Sequence, residues 1–461
     1  MSIFFWIIEA KIVILTAKSD VLYFEVMKKI AYLTLSICVV VTFLSITSCR
    51  NNDLYDMNEY EKYLDYNSPV DSIDSRHQWL LTKEQQFTIT ANKGENIQVA
   101  MILDDNPLSN SSAAVLNQAK VSDGESVTLY VSHPLAQTSL YAALVDKDGK
   151  YYVTQFPITQ TSVEFKTYSY GTPSSLTLKP QTYTYIFEEN FPLAGDYDYN
   201  DVVFRIGVDK NPDIPQQVTL DVTLVAVGSV NQIAGLVRLL DCKYSDIKNV
   251  ETADGKTFND NLPAGSKYLL DNIKLFDKGR NNEAVINLFD DAHWAMNNSQ
   301  EITENSGSIY QRKYYNTTIS TSEDAETRPY RSQKYIITFN DAEKAKKFTQ
   351  EQLDPFIVTM FNGGRYETHR YDLNAAQVMF PYNVEYRVKD LPWSFVVPME
   401  KFCHPLEGIQ IGFRKLTQTG IYAMFGAYVT RGHSFGEWVE DCKSNLDWYN
   451  HPSSENDVWI F

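Results

Sequence analysis

Residues 187–204 read FEENFPLAGDYDYNDVVF, gathering five carboxylates (Glu188, Glu189, Asp196, Asp198, Asp201) and the amide of Asn200 before the first base, Arg205. Like charges packed this closely repel unless they are solvated or given a cation. Apolar, strand-like sequence on both sides would hold them against a core, so a hard cation is the economical solution. Calcium takes about six to eight oxygens in flexible geometry, from carboxylates, amides and carbonyls. The expected ligand set is therefore Asp196, Asp198 and Asn200, completed by Glu188, Glu189 or Asp201. Written as an extended strand, Asp196, Asp198 and Asn200 point to one side and Tyr197 and Tyr199 to the other. The two aromatics would then pack or face a ligand, and Gly195 would allow a tight approach. The spacing is not that of an EF-hand loop, because Asp201 stands where the invariant glycine belongs and Gly207 where the bidentate glutamate belongs. Two other readings compete: an acidic turn whose carboxylates cap backbone amides without metal, and a glycosidase pair of Glu188 or Glu189 with an aspartate.

The elements that must position this stretch are strands. In residues 77–166 the runs FTIT, NIQVAMIL, SVTLYVS, LYAALV and KYYVTQF have strand length and pattern, punctuated by Lys93-Gly94, Asp123-Gly124 and Asp148-Gly149. Asp-Gly between two such runs is a hairpin signal, because both positions tolerate positive φ. This region is expected to be a small immunoglobulin-like sandwich. A Ser/Thr/Pro-rich linker, residues 167–182, leads to a larger domain, 183–461. There VTLDVTLVAVGSV, QIAGLVRLL and KYIITF are strand-like, and one helix is predicted where Asp341 caps AEKAKKFTQEQL, with Glu343 and Lys347 as an i,i+4 pair. The fold class is thus mainly β: an immunoglobulin-like β-sandwich, then a larger β-sandwich or jelly-roll-like domain, with minor helix.

Composition narrows the partners. With 58 acidic against 41 basic residues and a net charge of −17, the surface repels phosphate backbones, which argues against nucleic acid. No GxSxG elbow, HExxH helix or P-loop is present. The seven histidines are scattered singly, the pattern of hydrogen-bonded structural residues.

The N-terminus carries targeting chemistry. Met27-Lys28-Lys29 opens a basic segment, residues 30–46 are almost wholly apolar, and Thr47 and Ser48 precede Cys49, the layout of a secretory signal. The junction resembles a lipobox, which makes residues 27–48 a signal peptide and Cys49 the lipid attachment site. Residues 1–26 then read as an over-called start. An uncleaved anchor across residues 3–46 is the alternative, interrupted by Glu9, Lys11, Lys18, Asp20 and Glu25. Residues 49–76 are polar and acidic, a tether. Of the five cysteines, Cys242, Cys403 and Cys442 remain after the leader and Cys49, so one disulfide at most can form, with its pairing open.

The acidic stretch resembles the signature of the LruC-type domain of bacterial surface lipoproteins, a DUF4842-like C-terminal domain, in which a Phe-Glu-Asp-like start leads to GDYDxND and an apolar strand. DPFIVTMFNGGRYETHRYD resembles its NPF…EVH segment, with Glu367 and His369 in the matching places. PWSFVVPMEKFCHPLEG and AYVTRGHSFGEWVEDCKSNLDWYNHP resemble its C-terminal signature, ending in Asp447, Trp448 and Tyr449. Glu189 departs from the usual aspartate, Thr368 and Arg370 from the usual apolar flanks, and residues 412–426 look like an insertion. The resemblance implies a surface lipoprotein without established enzyme activity. The expectation is an outer-membrane, lipid-anchored, calcium-stabilised protein that binds a glycan or surface-protein ligand. Tyr197, Tyr199, Glu367, His369, Asp447, Trp448 and Tyr449 are candidate contacts, although Asp447–Tyr449 equally suit anchoring of the C-terminus. A polysaccharide-processing enzyme and a structural envelope or fimbria-associated component are the alternatives.

Overall fold

The structure is a computed structural model that describes residues 68–70, 73 and 77–460, apart from 95, 192–194, 261, 263–268, 271–273, 298–311, 320–321, 323, 362, 371–378, 381–390, 413–419 and 431–444. The leader, Cys49, most of the tether and Cys442 lie outside the described residues. Among the described residues, no helix is long and apolar enough to cross a membrane.

Nine strands build the first sandwich: β1 (Thr82–Thr90), β2 (Ile97–Leu103), β3 (Ala114–Lys120), β4 (Ser126–Pro134), β5 (Ser139–Asp146), β6 (Tyr151–Pro157), β7 (Ser162–Glu164), β8 (Ser169–Gly171) and β9 (Lys179–Pro180). They form a sheet of order β4-β1-β7 and one of order β8-β6-β5-β2-β3-β9. Alternate residues of the two sheets meet, with Phe87, Ile89, Leu129 and Val131 against Ile102, Leu140, Leu144 and Phe156 in one core. Gly94, Gly124 and Gly149 all adopt positive φ, of 70°, 81° and 74°. Only Asp148-Gly149 closes a hairpin, between β5 and β6. The other two turns carry the chain from one sheet to the other, from β1 to β2 and from β3 to β4.

The second sandwich comprises β10 (Thr182–Phe187), β11 (Val202–Lys210), β12 (Gln217–Ala226), β13 (Ala234–Lys243), β14 (Ile247–Thr252), β15 (Phe276–Lys278), β16 (Glu283–Phe289), β17 (Tyr314–Tyr315), β18 (Ala325–Glu326), β19 (Arg331–Phe339), β20 (Leu353–Phe361), β21 (Gly364–Thr368), β22 (Met379–Phe380) and β23 (Ser394–Val397). Two antiparallel sheets, β14-β19-β12-β11-β10-β23 and β15-β16-β13-β20-β21-β22, enclose one core. Strand β12 buries every second residue along most of its length, as its alternating VTLDVTLV predicts. Strand β11 is buried on both faces through Val208, which explains why its apolar residues do not alternate with polar ones and why even Arg205 within it is buried.

The second face of β11 is covered by the C-terminal part of the chain. Ile186, Val203, Phe395 and Val397 pack under Phe402, Ile411, Tyr422, Phe425 and Trp448. The fully buried Trp448 stands at the centre, 5.0 Å from the Phe425 ring and 5.1 Å from that of Tyr422. Val70, Trp79 and Leu81 join the same layer, and His77 reaches the Tyr428 carbonyl at 3.0 Å. Val70 of the acidic tether, and Trp79 and Leu81 before β1, therefore pack with the larger domain's core.

Among the described residues there are three short α-helices: α1 (Ala292–Asn297), α2 (Ala342–Lys347) and α3 (Ala423–Thr430). Asp341 caps α2 as expected, accepting from the Glu343 amide at 2.9 Å. The helix then stops, because Thr349 caps a separate 3-10 turn, Gln350–Gln352. Glu343 accordingly meets Lys346, at 3.9 Å, in an i,i+3 pair rather than the expected i,i+4 pair.

Candidate metal centre

The acidic residues occupy the loop that joins β10 to β11. Those strands pair from Phe187↔Val202 back to Thr182↔Gly207, so the loop leaves and re-enters the sheet at one edge of the buried core. It is not the extended strand that the alternation predicts. Tyr197 and Tyr199 take positive φ, 65° and 54°, a conformation that costs energy for non-glycine residues and persists where surrounding contacts impose it. Those contacts are aromatic: both side chains are buried in the C-terminal core, Tyr199 lies 4.7 Å from Phe395, and its hydroxyl donates to the Pro392 carbonyl at 2.8 Å. As core residues, they present no exposed stacking face.

With the tyrosines turned inward, Glu188, Asp196 and Asp198 come together, each offering a carboxylate oxygen within 4.8 Å of the others. Glu188 and Asp198 are buried, and Asp196 is exposed. Glu188 Oε1 accepts the Tyr199 amide at 2.7 Å, while Glu188 Oε2 is buried and has no hydrogen-bond partner. Asn200 is fully buried; its Nδ2 donates to the Pro405 carbonyl at 3.2 Å and its Oδ1 has no partner. Two glycines make room for these two oxygens. A Cβ at Gly195 would lie 1.6 Å from Glu188 Oε2, and one at Gly228 would lie 1.8 Å from Asn200 Oδ1. Leaving such groups buried and unsatisfied costs about 1–3 kcal/mol each, more when charged, which a hard cation would offset.

Asp201 and Glu189 hold the loop shut. Asp201 Oδ2 accepts the Glu189 amide at 2.7 Å, and Glu189 Oε1 accepts from Ser229 Oγ at 2.6 Å and Asn231 Nδ2 at 2.7 Å. Of the six predicted ligands, three converge, Asn200 offers a free buried oxygen, and these two are engaged with protein donors.

The electrostatics are one-sided. Burial, and then the charge of Asp196, pushes Glu188 well above the usual carboxylate range. Burial followed by Asp196, Glu188 and Glu407 does the same to Asp198, and burial with Glu188, Glu189 and Asp198 to Asp201. Glu407, which the spacing of the acidic stretch could not reveal, is pushed up to about 8 by burial and by Asp196. It lies in the PWSFVVPMEKFCHPLEG segment, some two hundred positions away. Its neighbour Gly408 donates its amide to Asp198 Oδ2 at 2.8 Å.

The other candidates sit elsewhere in the fold. Glu367 and His369 belong to a buried ion-pair cluster: His369 Nδ1 contacts Asp354 at 2.8 Å and Nε2 contacts Glu367 at 3.3 Å. Arg238 lies 2.7 Å from Asp354 and 3.3 Å from Glu283. The Phe356 ring stacks on the imidazole, with centroids 4.4 Å apart. Burial alone would lower His369, yet Asp354 and Glu367 hold it above the ordinary histidine value. Burial would likewise raise Asp354, yet His369, Arg238 and Arg370 hold it below the usual carboxylate value. Trp448 and Tyr449 are core residues, and the Asp447 carboxylate pairs with the exposed His451 ring at 3.1 Å. Cys242 and Cys403 are free thiols.

Two mainly antiparallel sandwiches with an acidic inter-strand loop thus define a multi-sheet β protein. The chain belongs to the DUF4842 family, described as "Domain of unknown function (DUF4842)", whose profile matches residues 216–449, just over half of the chain. The acidic loop precedes the matched region, whereas Glu407 lies within it. No curated protein sequence matches. Two solved structures are similar over much of their length: a "Putative lipoprotein" from Bacteroides ovatus, with 15% identity and a TM-score of 0.41, covering 78% of this chain and 98% of that one; and the full-length major pilin SpaD from Corynebacterium diphtheriae, with 9% identity and a TM-score of 0.14, covering 62% and 66%.

Proposed function

We propose that this protein is a lipid-anchored envelope protein whose larger sandwich is stabilised by a bound calcium ion, and that it acts by binding a ligand rather than by turning one over. The observation that carries the calcium reading is the buried, unpartnered Glu188 Oε2 beside Asp196 and Asp198. Calcium fits because the donors are all oxygens on an irregular loop, and because carboxylates that would otherwise have to take up protons can exchange them for a divalent ion. The burial of Glu188 and Asp198 counts against hydrolysis, which needs its carboxylates on two sides of an accessible sugar. The lipobox-like sequence before Cys49 and the acidic segment after it support an anchored, tethered placement in the outer membrane. A glycan or a neighbouring surface protein is the class of ligand such a placement makes available.

Thermal unfolding of the detergent-solubilised full chain, in EDTA and across a calcium titration, tests the reading. A calcium-dependent rise in Tm that the Asp196→Ala/Asp198→Ala variant loses is the expected result. An unchanged Tm in the parent protein would remove calcium from the account and leave a capped acidic turn.

A further inference from the structure

Resting on that reading, we propose that Glu407 is a further carboxylate of the cation site, so that the bound ion staples the β10–β11 loop to residues 405–411 and, through them, docks the C-terminal aromatic layer on the sandwich. The two stretches are already laid against each other by alternating hooks. Asn200 Nδ2 donates to the Pro405 carbonyl at 3.2 Å, the Gly408 amide to Asp198 Oδ2 at 2.8 Å, and the Ile411 amide to the Tyr197 carbonyl at 2.8 Å. Glu407 sits between the first two hooks. Its own amide is held by the Thr317 carbonyl at 2.8 Å, the Thr317 side chain acts on its carboxyl group, and its Oε2 is buried with no partner in hydrogen-bond geometry. Buried, unpaired carboxylate oxygens thus lie on both sides of this seam, Glu188 Oε2 on one and Glu407 Oε2 on the other.

Charge of one sign on both sides of a seam pushes it apart, and a divalent cation reverses that force. The consequence extends beyond the loop. Ile411 accepts the Tyr422 amide at 2.9 Å, Gln410 accepts that of Ile421 at 2.9 Å, and Tyr422 packs on Trp448. Beneath them lies the apolar face made by Ile186, Val203, Phe395 and Val397. Calcium occupancy would therefore set how firmly that face is covered.

The test combines calorimetric calcium titration with hydrogen–deuterium exchange on the detergent-solubilised full chain, in calcium, magnesium and EDTA. Glu407→Gln is expected to weaken calcium binding by about ten-fold or more. In the parent, EDTA is expected to speed exchange in peptides covering 405–411 and 445–450 while leaving those of β1 and β5 unchanged; magnesium, which demands a tighter octahedron, is expected to protect less than calcium. Parent-like calcium affinity in Glu407→Gln would remove Glu407 from the site. Calcium binding by the parent without added protection of 405–411 would overturn the staple and leave the cation reading standing. Absence of binding by the parent would overturn both. The exchange measurement on the parent needs no variant, so a misfolded Glu407→Gln would not shelter the proposal.

Discussion

The larger sandwich buries charge in two places, and they are built on opposite plans. Around Asp354 the chain supplies its own counter-ions, with Arg238 at 2.7 Å and His369 at 2.8 Å. Those partners outweigh burial, so Asp354 is held low and His369 high. Around Asp198 the charges acting most strongly are all carboxylates, and they add to burial instead of opposing it. A balanced cluster is complete when the chain has folded. An unbalanced one is complete only when solution supplies protons or a cation, and so it makes stability depend on conditions.

The sharpest way to break the comparison is at the balanced cluster. Asp354→Ala removes the carboxylate that Arg238 and His369 share, leaving them the longer contacts to Glu283 and Glu367, both at 3.3 Å, and removing one partner of a buried pair costs about 3–5 kcal/mol. The urea midpoint should fall accordingly, by the same amount in calcium and in EDTA. A calcium-dependent loss would mean that the two clusters are coupled. At the unbalanced cluster, calcium at a hundred times its Kd should add about 2.7 kcal/mol to the parent. The Asp196→Ala/Asp198→Ala variant should gain nothing under the same titration.

A smaller effect is expected from Gly195→Ala. The new methyl would need the place of Glu188 Oε2, 1.6 Å away, and Glu188 cannot swing freely because its other oxygen holds the Tyr199 amide. Overpacking of this kind costs about 1–3 kcal/mol, and the calcium-dependent part of the stability should shrink with it. An alanine variant with full calcium response would show that Oε2 is not needed by the ion.

The smallest effect is the pH dependence that the balanced cluster contributes. His369 has its folded value raised above the ordinary 6.5, so its ion pairing contributes fully below that value and is lost as pH rises through the folded value. Asp354, lowered from 3.8, contributes above that value and is lost only as pH falls through its depressed folded value. The stability difference between the parent and His369→Gln, followed from about pH 5 to about pH 9, should therefore be largest on the acidic side and narrow towards the alkaline. A gap that widens with pH would contradict a charged His369.

Much of the β architecture was legible because period-two burial is local: β12 and β19 alternate in sequence and in the sheet. The capped start of α2 was legible for the same reason, whereas its end was not, since Thr349 competes as a second cap. Strand β3, AVLNQAK, is not legible in the sequence because Asn117 and Gln118 interrupt its apolar pattern. Asp-Gly marked a chain reversal at residues 123–124 and at 148–149 alike. A turn residue reports its φ, not which sheet the next strand joins.

By itself, the sequence determined that this chain is mainly β and strongly acidic, and that residues 188–201 concentrate more negative charge than a buried loop tolerates alone. Tertiary structure decided which of those oxygens are free. The donors that occupy Glu189 come from Ser229 and Asn231, the glycine that accommodates Asn200 is Gly228, and the distant carboxylate whose charge adds to those of Asp196 and Asp198 is Glu407. The aromatic contacts that turn Tyr197 and Tyr199 inward come from the C-terminal layer. Local sequence fixes the charge that must be accommodated, but solvation and pairing are set by whatever the fold brings within a few ångströms, and here those neighbours arrive from segments far along the chain.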